Sequence, residues 1–100
     1  MNLNQLTIDY LQAQANEDSA FQAIEGTGTD EQWDAYFDAQ EGARIALERM
    51  LDTTREIAFR MVKDKDSRDN LTSFFHIAIH RDGDVRKRAV GKAFELAMLT

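Results

Sequence analysis

Apolar residues along this chain are spaced for helices. From Trp33 to Met61 they recur on a seven-residue pattern: Trp33, Leu47 and Met61 share one row, Tyr36, Ala43, Met50 and Ile57 a second, and Phe37, Leu51 and Ala58 a third. Such a stripe has the width needed by a helix packed in a bundle or globule. Gln40 and Thr54 fall in the first row and Arg44 in the third, so this is not the clean seam of a two-stranded coiled coil. Thr29, followed three residues later by Gln32, makes a capping-box start, and Asp30 and Glu31 put negative charge in the first turn, where the helix dipole favours it. One helix from Thr29 to about Val62 is therefore predicted. At about 1.5 Å per residue it would span roughly 50 Å, against a radius of gyration of about 13 Å for a compact chain of this length. Either it bends near Glu41-Gly42, where Gly42 weakens the helix, or its exposed apolar end is covered by a second copy or another protein.

The rest of the chain follows the same period. Leu3, Leu6, Tyr10 and Leu11 predict a first helix over about Asn4 to Ala15. Asp18 is a good cap for a second, short one carrying Phe21 and Ile24 and stopped by Gly26-Thr27-Gly28; the alternative is one continuous, kinked helix. After the polar Lys63-Asp64-Lys65-Asp66 connection, Asp66 or Ser67 caps a helix bearing Leu71, Phe74, Phe75, Ala78 and Ile79. Asp82-Gly83-Asp84 ends it, and Asp84 caps the last helix, whose broad apolar surface (Val85, Ala89, Ala93 and Leu96; Val90, Phe94 and Ala97) implies deep burial or an interface. No internal repeat is evident. The expected fold is all-α: a small bundle of four to five helices built around one long central helix, in a single domain over residues 1–100.

Composition agrees with that reading, since proline is absent and glycine sparse. With no cysteine there is no disulfide, thiolate metal site or cysteine nucleophile. The amino-terminal residues lack the basic start and apolar run of a secretory signal, and no run is long enough to cross a membrane; a cytoplasmic protein is expected.

Charge changes the picture more. No Lys or Arg precedes Arg44, while nine acids do, and residues 1–50 sum to −8 against +2 for residues 51–100. Asp30, Asp34, Asp38 and Glu41 line one face of the long helix, beside Glu31. Like charges four apart cost a few tenths of a kcal/mol per pair, so the row is mildly unfavourable for the isolated helix. It reads either as a solvated face that maintains solubility or as regularly spaced negative charge offered to a basic surface that ordinarily holds phosphates. Glu48, Asp52 and Glu56 extend the row, but there Arg44, Arg49, Arg55 and Arg60 lie within pairing distance. Direct nucleic-acid binding through the acidic face is excluded by sign. A basic cluster, Arg81, Arg86, Lys87, Arg88 and Lys92, is interrupted by Asp82 and Asp84 and has no interleaved aromatic residues, which favours pairing with acids over phosphate binding.

Catalytic patterns fail one by one. His76 and His80, four apart, face the same way as two metal ligands would, but a third ligand is not evident and the glutamate of the H-E-x-x-H pattern is missing. Asp69, Ser73 and His76 share a face with the serine in the wrong place for a triad. Asp64-Lys65-Asp66-Ser67-Arg68 begins like a calcium loop but has Asp69 and Phe75 where glycine and glutamate belong. Gly26-Thr27-Gly28-Thr29 precedes a helix start, yet the adjacent acids would repel a phosphate. No enzyme, no cofactor and no metal are expected.

In size, helicity and the acid-rich region from Glu17 to Glu41, the chain resembles the small acidic phage proteins that disable host defence, anti-CRISPR and anti-restriction proteins among them. The resemblance implies a non-enzymatic inhibitor that occupies a basic, nucleic-acid-binding surface of a host complex and blocks its access to DNA. Asp30, Glu31, Asp34, Asp38 and Glu41 are the partner-binding residues that go with it, and Trp33 and Tyr36 are aromatic anchors unless they are packed in the core. Two other readings stand beside it: a structural or assembly subunit of a phage or mobile element that homo-oligomerises through the long helix, and a metal-binding helical protein using His76 and His80.

Overall fold

The Thr29 hydroxyl accepts the Gln32 backbone N–H at 3.1 Å, and the Gln32 side chain accepts the Thr29 N–H at 2.9 Å. This reciprocal pair satisfies two donors that a helix start would otherwise leave without partners. It opens the longest helix in the computed structural model, which describes residues 2–99. Four helices follow in order: α1 (Leu3–Gln22), α2 (Asp30–Met61), α3 (Lys65–His80) and α4 (Asp84–Leu99), with no strand among the described residues.

α2 continues without interruption through Gly42. Its 32 residues correspond to about 48 Å. The molecule measures 53 × 24 × 18 Å with a radius of gyration of 15.7 Å, more extended than a globule of this length. α2 and α4 each pack against all three other helices.

α1 takes the continuous alternative, and two later boundaries differ from expectation. Residues 4–15 and the stretch after Asp18 form the single helix α1, capped by the Asn2 side chain, which accepts the Gln5 N–H at 2.8 Å. Asp18 therefore stands inside a helix, exposed, and Ile24 lies beyond the helix end. α3 begins earlier than predicted because Asp64, rather than Asp66 or Ser67, is the cap: its carboxylate accepts the Ser67 N–H at 2.9 Å. Asp84 is the first residue of α4 rather than its cap, and the Gly83 carbonyl accepts the Lys87 N–H at 3.1 Å.

The core joins Leu3, Leu6 and Tyr10 of α1, Leu47, Met50 and Leu51 of α2, Phe75 and Ala78 of α3, and Ala89, Ala93, Leu96 and Ala97 of α4. The small residues of α4 let it approach the other helices closely, while Phe75, Met50 and Leu51 supply the bulk. Each of these three contributes about 2–3 kcal/mol by leaving water. Thr54, fully buried, satisfies its hydroxyl by donating to the Met50 carbonyl at 2.8 Å.

A short repeat that the sequence reading missed closes two helices. Asp64-Lys65-Asp66-Ser67-Arg68 and Asp82-Gly83-Asp84-Val85-Arg86 share the pattern Asp-x-Asp-x-Arg. In each, the arginine turns back to the carbonyls ending the preceding helix. Arg68 donates to Val62 O at 2.9 Å and Phe59 O at 3.4 Å, and Arg86 to Ala78 O at 2.8 Å and Ile79 O at 2.9 Å. A cation at a helix carboxyl end satisfies both the free carbonyls and the dipole.

Candidate functional site

No apolar residue between Tyr10 and Ala43 is buried, and this decides where the acidic row stands. α3 and α4 are each 16 residues, about 24 Å, and cover the carboxy-terminal half of α2 and the start of α1. Their connecting turn reaches the level of Tyr10, Gln14, Gln40 and Ala43, where Asp82 and Arg86 line the same groove. Past that level α1 and α2 run on as a two-helix arm. An arm of one layer has no further element to cover it, so the fully buried part of the apolar stripe predicted for α2 runs only from Ala43 to Thr54.

Phe37 is accordingly 54% exposed, and Phe21, from α1, is 58% exposed. Trp33 and Tyr36 are half-buried, short of full core packing, and the expected row member Met61 is exposed at the other end of α2. The four rings of the arm form one cluster, with centroids 5.5 Å apart for Phe21 and Tyr36, 6.0 Å for Trp33 and Tyr36, 5.8 Å for Trp33 and Phe37, and 5.7 Å for Tyr36 and Phe37. Such tilted pairs stabilise beyond simple burial. The indole N–H of Trp33 donates to the Thr27 carbonyl at 2.8 Å, and Gly28, at φ +77°, lets the α1–α2 turn pass against the ring. A shallow groove of roughly 270 Å³ lies beside the cluster, lined by Glu17, Asp18, Phe21, Gln22 and Tyr36.

The predicted acidic residues are brought together on this arm. Asp30, Glu31, Asp34, Asp38 and Glu41 are all exposed. Glu41 differs from the rest: Arg44 donates to its two carboxylate oxygens at 2.6 and 3.1 Å and reaches Glu48 at 3.1 Å. The Arg44 hydrogen bond holds the Glu41 carboxyl below the usual carboxylate range. Among the described residues Asp30, Glu31, Asp34 and Asp38 form no ion pair, which leaves four free carboxylates toward the end of the arm and a neutralised one at its base. Lower on α2, Arg55 lies 3.8 Å from Asp52.

The basic cluster does not act as one patch. Arg86 spends its guanidinium on α3 carbonyls and on Asp82, at 2.6 Å, while Lys92 lies 3.6 Å from Glu95. Arg81, Lys87 and Arg88 are exposed. A further cleft of roughly 410 Å³, lined in part by Tyr10, Gln14, Arg86, Val90 and Phe94, opens between α1 and α4. Burial there pushes the Tyr10 phenol above its ordinary range, an effect Arg86 partly offsets. His76 and His80 are exposed with ring centroids 4.5 Å apart, and no group of three or more His, Cys, Asp or Glu among the described residues is placed to hold a metal ion.

Phe21, which the spacing places either on a short second helix or on a continuous first one, lies near the end of α1 and joins this face. Its alignment with Tyr36 depends on the long-range pairing of α1 with α2, which a period within one helix does not encode. No helix among the described residues is long and apolar enough to cross a membrane. No protein-family model, no curated protein and no solved structure matches this chain.

Proposed function

We propose that this chain is a non-enzymatic protein-binding inhibitor whose α1–α2 arm docks on a basic, nucleic-acid-binding surface of a host complex and keeps DNA from it. The long helix α2 is its organising rod, rooted in the bundle at one end and carrying the contact residues at the other. The observation that carries the reading is the coincidence on one uncovered arm of four unpaired carboxylates with a half-exposed cluster of four rings. Free carboxylates steer a basic partner and set the salt dependence of association, whereas aromatic rings supply the short-range contact area typical of binding hot spots. Asp30, Glu31, Asp34 and Asp38 form the contact row and Glu41 its edge. Phe21 and Phe37 join Trp33 and Tyr36 as anchors. A chain without cysteine is suited to the reducing cytoplasm, where such a partner is met.

The test is capture of partners by the tagged protein from host lysate, beside a folded Asp30→Lys, Asp34→Lys, Asp38→Lys variant. A nucleic-acid-binding partner held at equal stoichiometry, displaced by added DNA and lost with the variant, is the expected result. Retention of every partner by the variant would refute the reading. The exposed Ile8, Leu11, Phe21 and Phe37 favour a second one, self-association along the hairpin as an assembly subunit. Sedimentation of the purified chain would then give a stable dimer insensitive to the charge reversals.

A further inference from the structure

Away from the arm, on α3, His76 and His80 stand one helical turn apart with ring centroids 4.5 Å from each other, and both are exposed. No ion pair or hydrogen bond to either imidazole is present among the described residues. We propose that these two rings form a two-ligand chelate for a borderline divalent transition metal, of the class of zinc, nickel or copper(II). Positions i and i+4 on a helix point the same way, so two imidazoles reach one ion without any movement of the backbone. The donor set selects the metal: imidazole suits these ions, whereas calcium and magnesium need several oxygen ligands.

The setting is mixed, and its balance favours a cation. His80 ends α3, where the helix dipole presents negative potential. Arg86 also sits at this helix end, but its charge is balanced by Asp82 at 2.6 Å, and Arg81 is exposed to solvent, which screens it. With two protein ligands the ion keeps open positions for water or for a group of another molecule.

The experiment uses the full chain freed of any affinity tag, with Zn²⁺, Ni²⁺ and Cu²⁺ added in turn and Mg²⁺ as the control. At an excess well above the dissociation constant, at least one of the three raises the Tm by about 5 °C, as expected for a ligand bound by the folded helix alone. His76→Ala and His80→Ala each abolish the rise, and Mg²⁺ gives none. Because the chain holds just two histidines, their ring resonances supply a second reading on the unaltered protein: both shift or broaden together at one equivalent of metal. No rise in Tm for any of the three ions, a rise that survives in both variants, or ring resonances that stay unmoved would each overturn the proposal.

Discussion

Arg86 closes the end of α3 from the first turn of α4, its Nε–H donating to the Ala78 carbonyl oxygen at 2.8 Å. The same guanidinium reaches Ile79 O and Asp82, and its side chain is 26% exposed. One planar group thus ties two helices and the turn between them. Removing it leaves two carbonyls without their charged donor, a loss of about 2 kcal/mol. We expect Arg86→Ala to lower the Tm by roughly 10 °C. Arg86→Lys should recover little, since an ammonium cannot span both carbonyls. Arg68→Ala, at the exposed counterpart, should cost about 1 kcal/mol. Urea denaturation of the three variants checks the order, and equal losses for Arg86→Ala and Arg68→Ala would contradict it.

The α1–α2 turn offers a cleaner contrast. A Cβ on Gly28 would come within 2.6 Å of Trp33 Nε1 and 2.8 Å of Ile24 Cγ2, at a backbone φ of +77°. On Gly26, at φ +61°, it would meet nothing within 4 Å. Gly26→Ala should therefore cost about 1 kcal/mol from backbone strain alone. Gly28→Ala adds displacement of the indole from Thr27 and should cost about 2 kcal/mol or more. Trp33 is the sole tryptophan, so its emission reports the displacement directly. A red shift is expected for Gly28→Ala and none for Gly26→Ala.

Acid titration should expose the Asp64 cap. The Ser67 backbone N–H, followed by the Ser67 side chain, holds the Asp64 carboxyl below its ordinary value. A carboxyl depressed in the folded state stabilises the fold above its unfolded-state range, and that contribution disappears as pH falls through the folded-state value. The stability difference between the unaltered chain and Asp64→Ala should then be largest near about pH 7 and shrink toward about pH 2.5. A difference that grows on acidification would mean that the cap acts through something other than its charge. Glu41, held down by Arg44, follows the same sign.

Much of this architecture was legible in sequence, and what was not has a common physical cause. Thr29 and Gln32 announced the start of α2 because capping chemistry acts within four residues. Leu47, Met50 and Leu51 announced the buried side because periodicity reports which way a helix faces. Periodicity does not report whether anything stands opposite. The stripe runs on through Phe37 and Trp33, and the lengths of α3 and α4, set against α2, leave Phe37 exposed and Trp33 half-buried. Arg86 reads as part of a basic cluster for a similar reason. Its partners lie seven and eight residues back on another helix, beyond the reach of any single-helix pattern, although its recurrence with Arg68 in Asp-x-Asp-x-Arg was there to be seen. The acidic row, by contrast, needs no tertiary information, since exposure is its default and all five residues are exposed.

Because burial of apolar side chains stops at Tyr10 and Ala43, α2 should not open everywhere at the same free energy. Amide protons of Leu47 to Thr54 are expected to exchange with solvent only when the whole bundle comes apart. Those of residues 15–22 and 30–40 are expected to exchange after no more than a parting of the hairpin end, held by Trp33, Tyr36 and their neighbours. The backbone expected to open first and the four unpaired carboxylates therefore lie on the same stretch, away from the half that holds the fold.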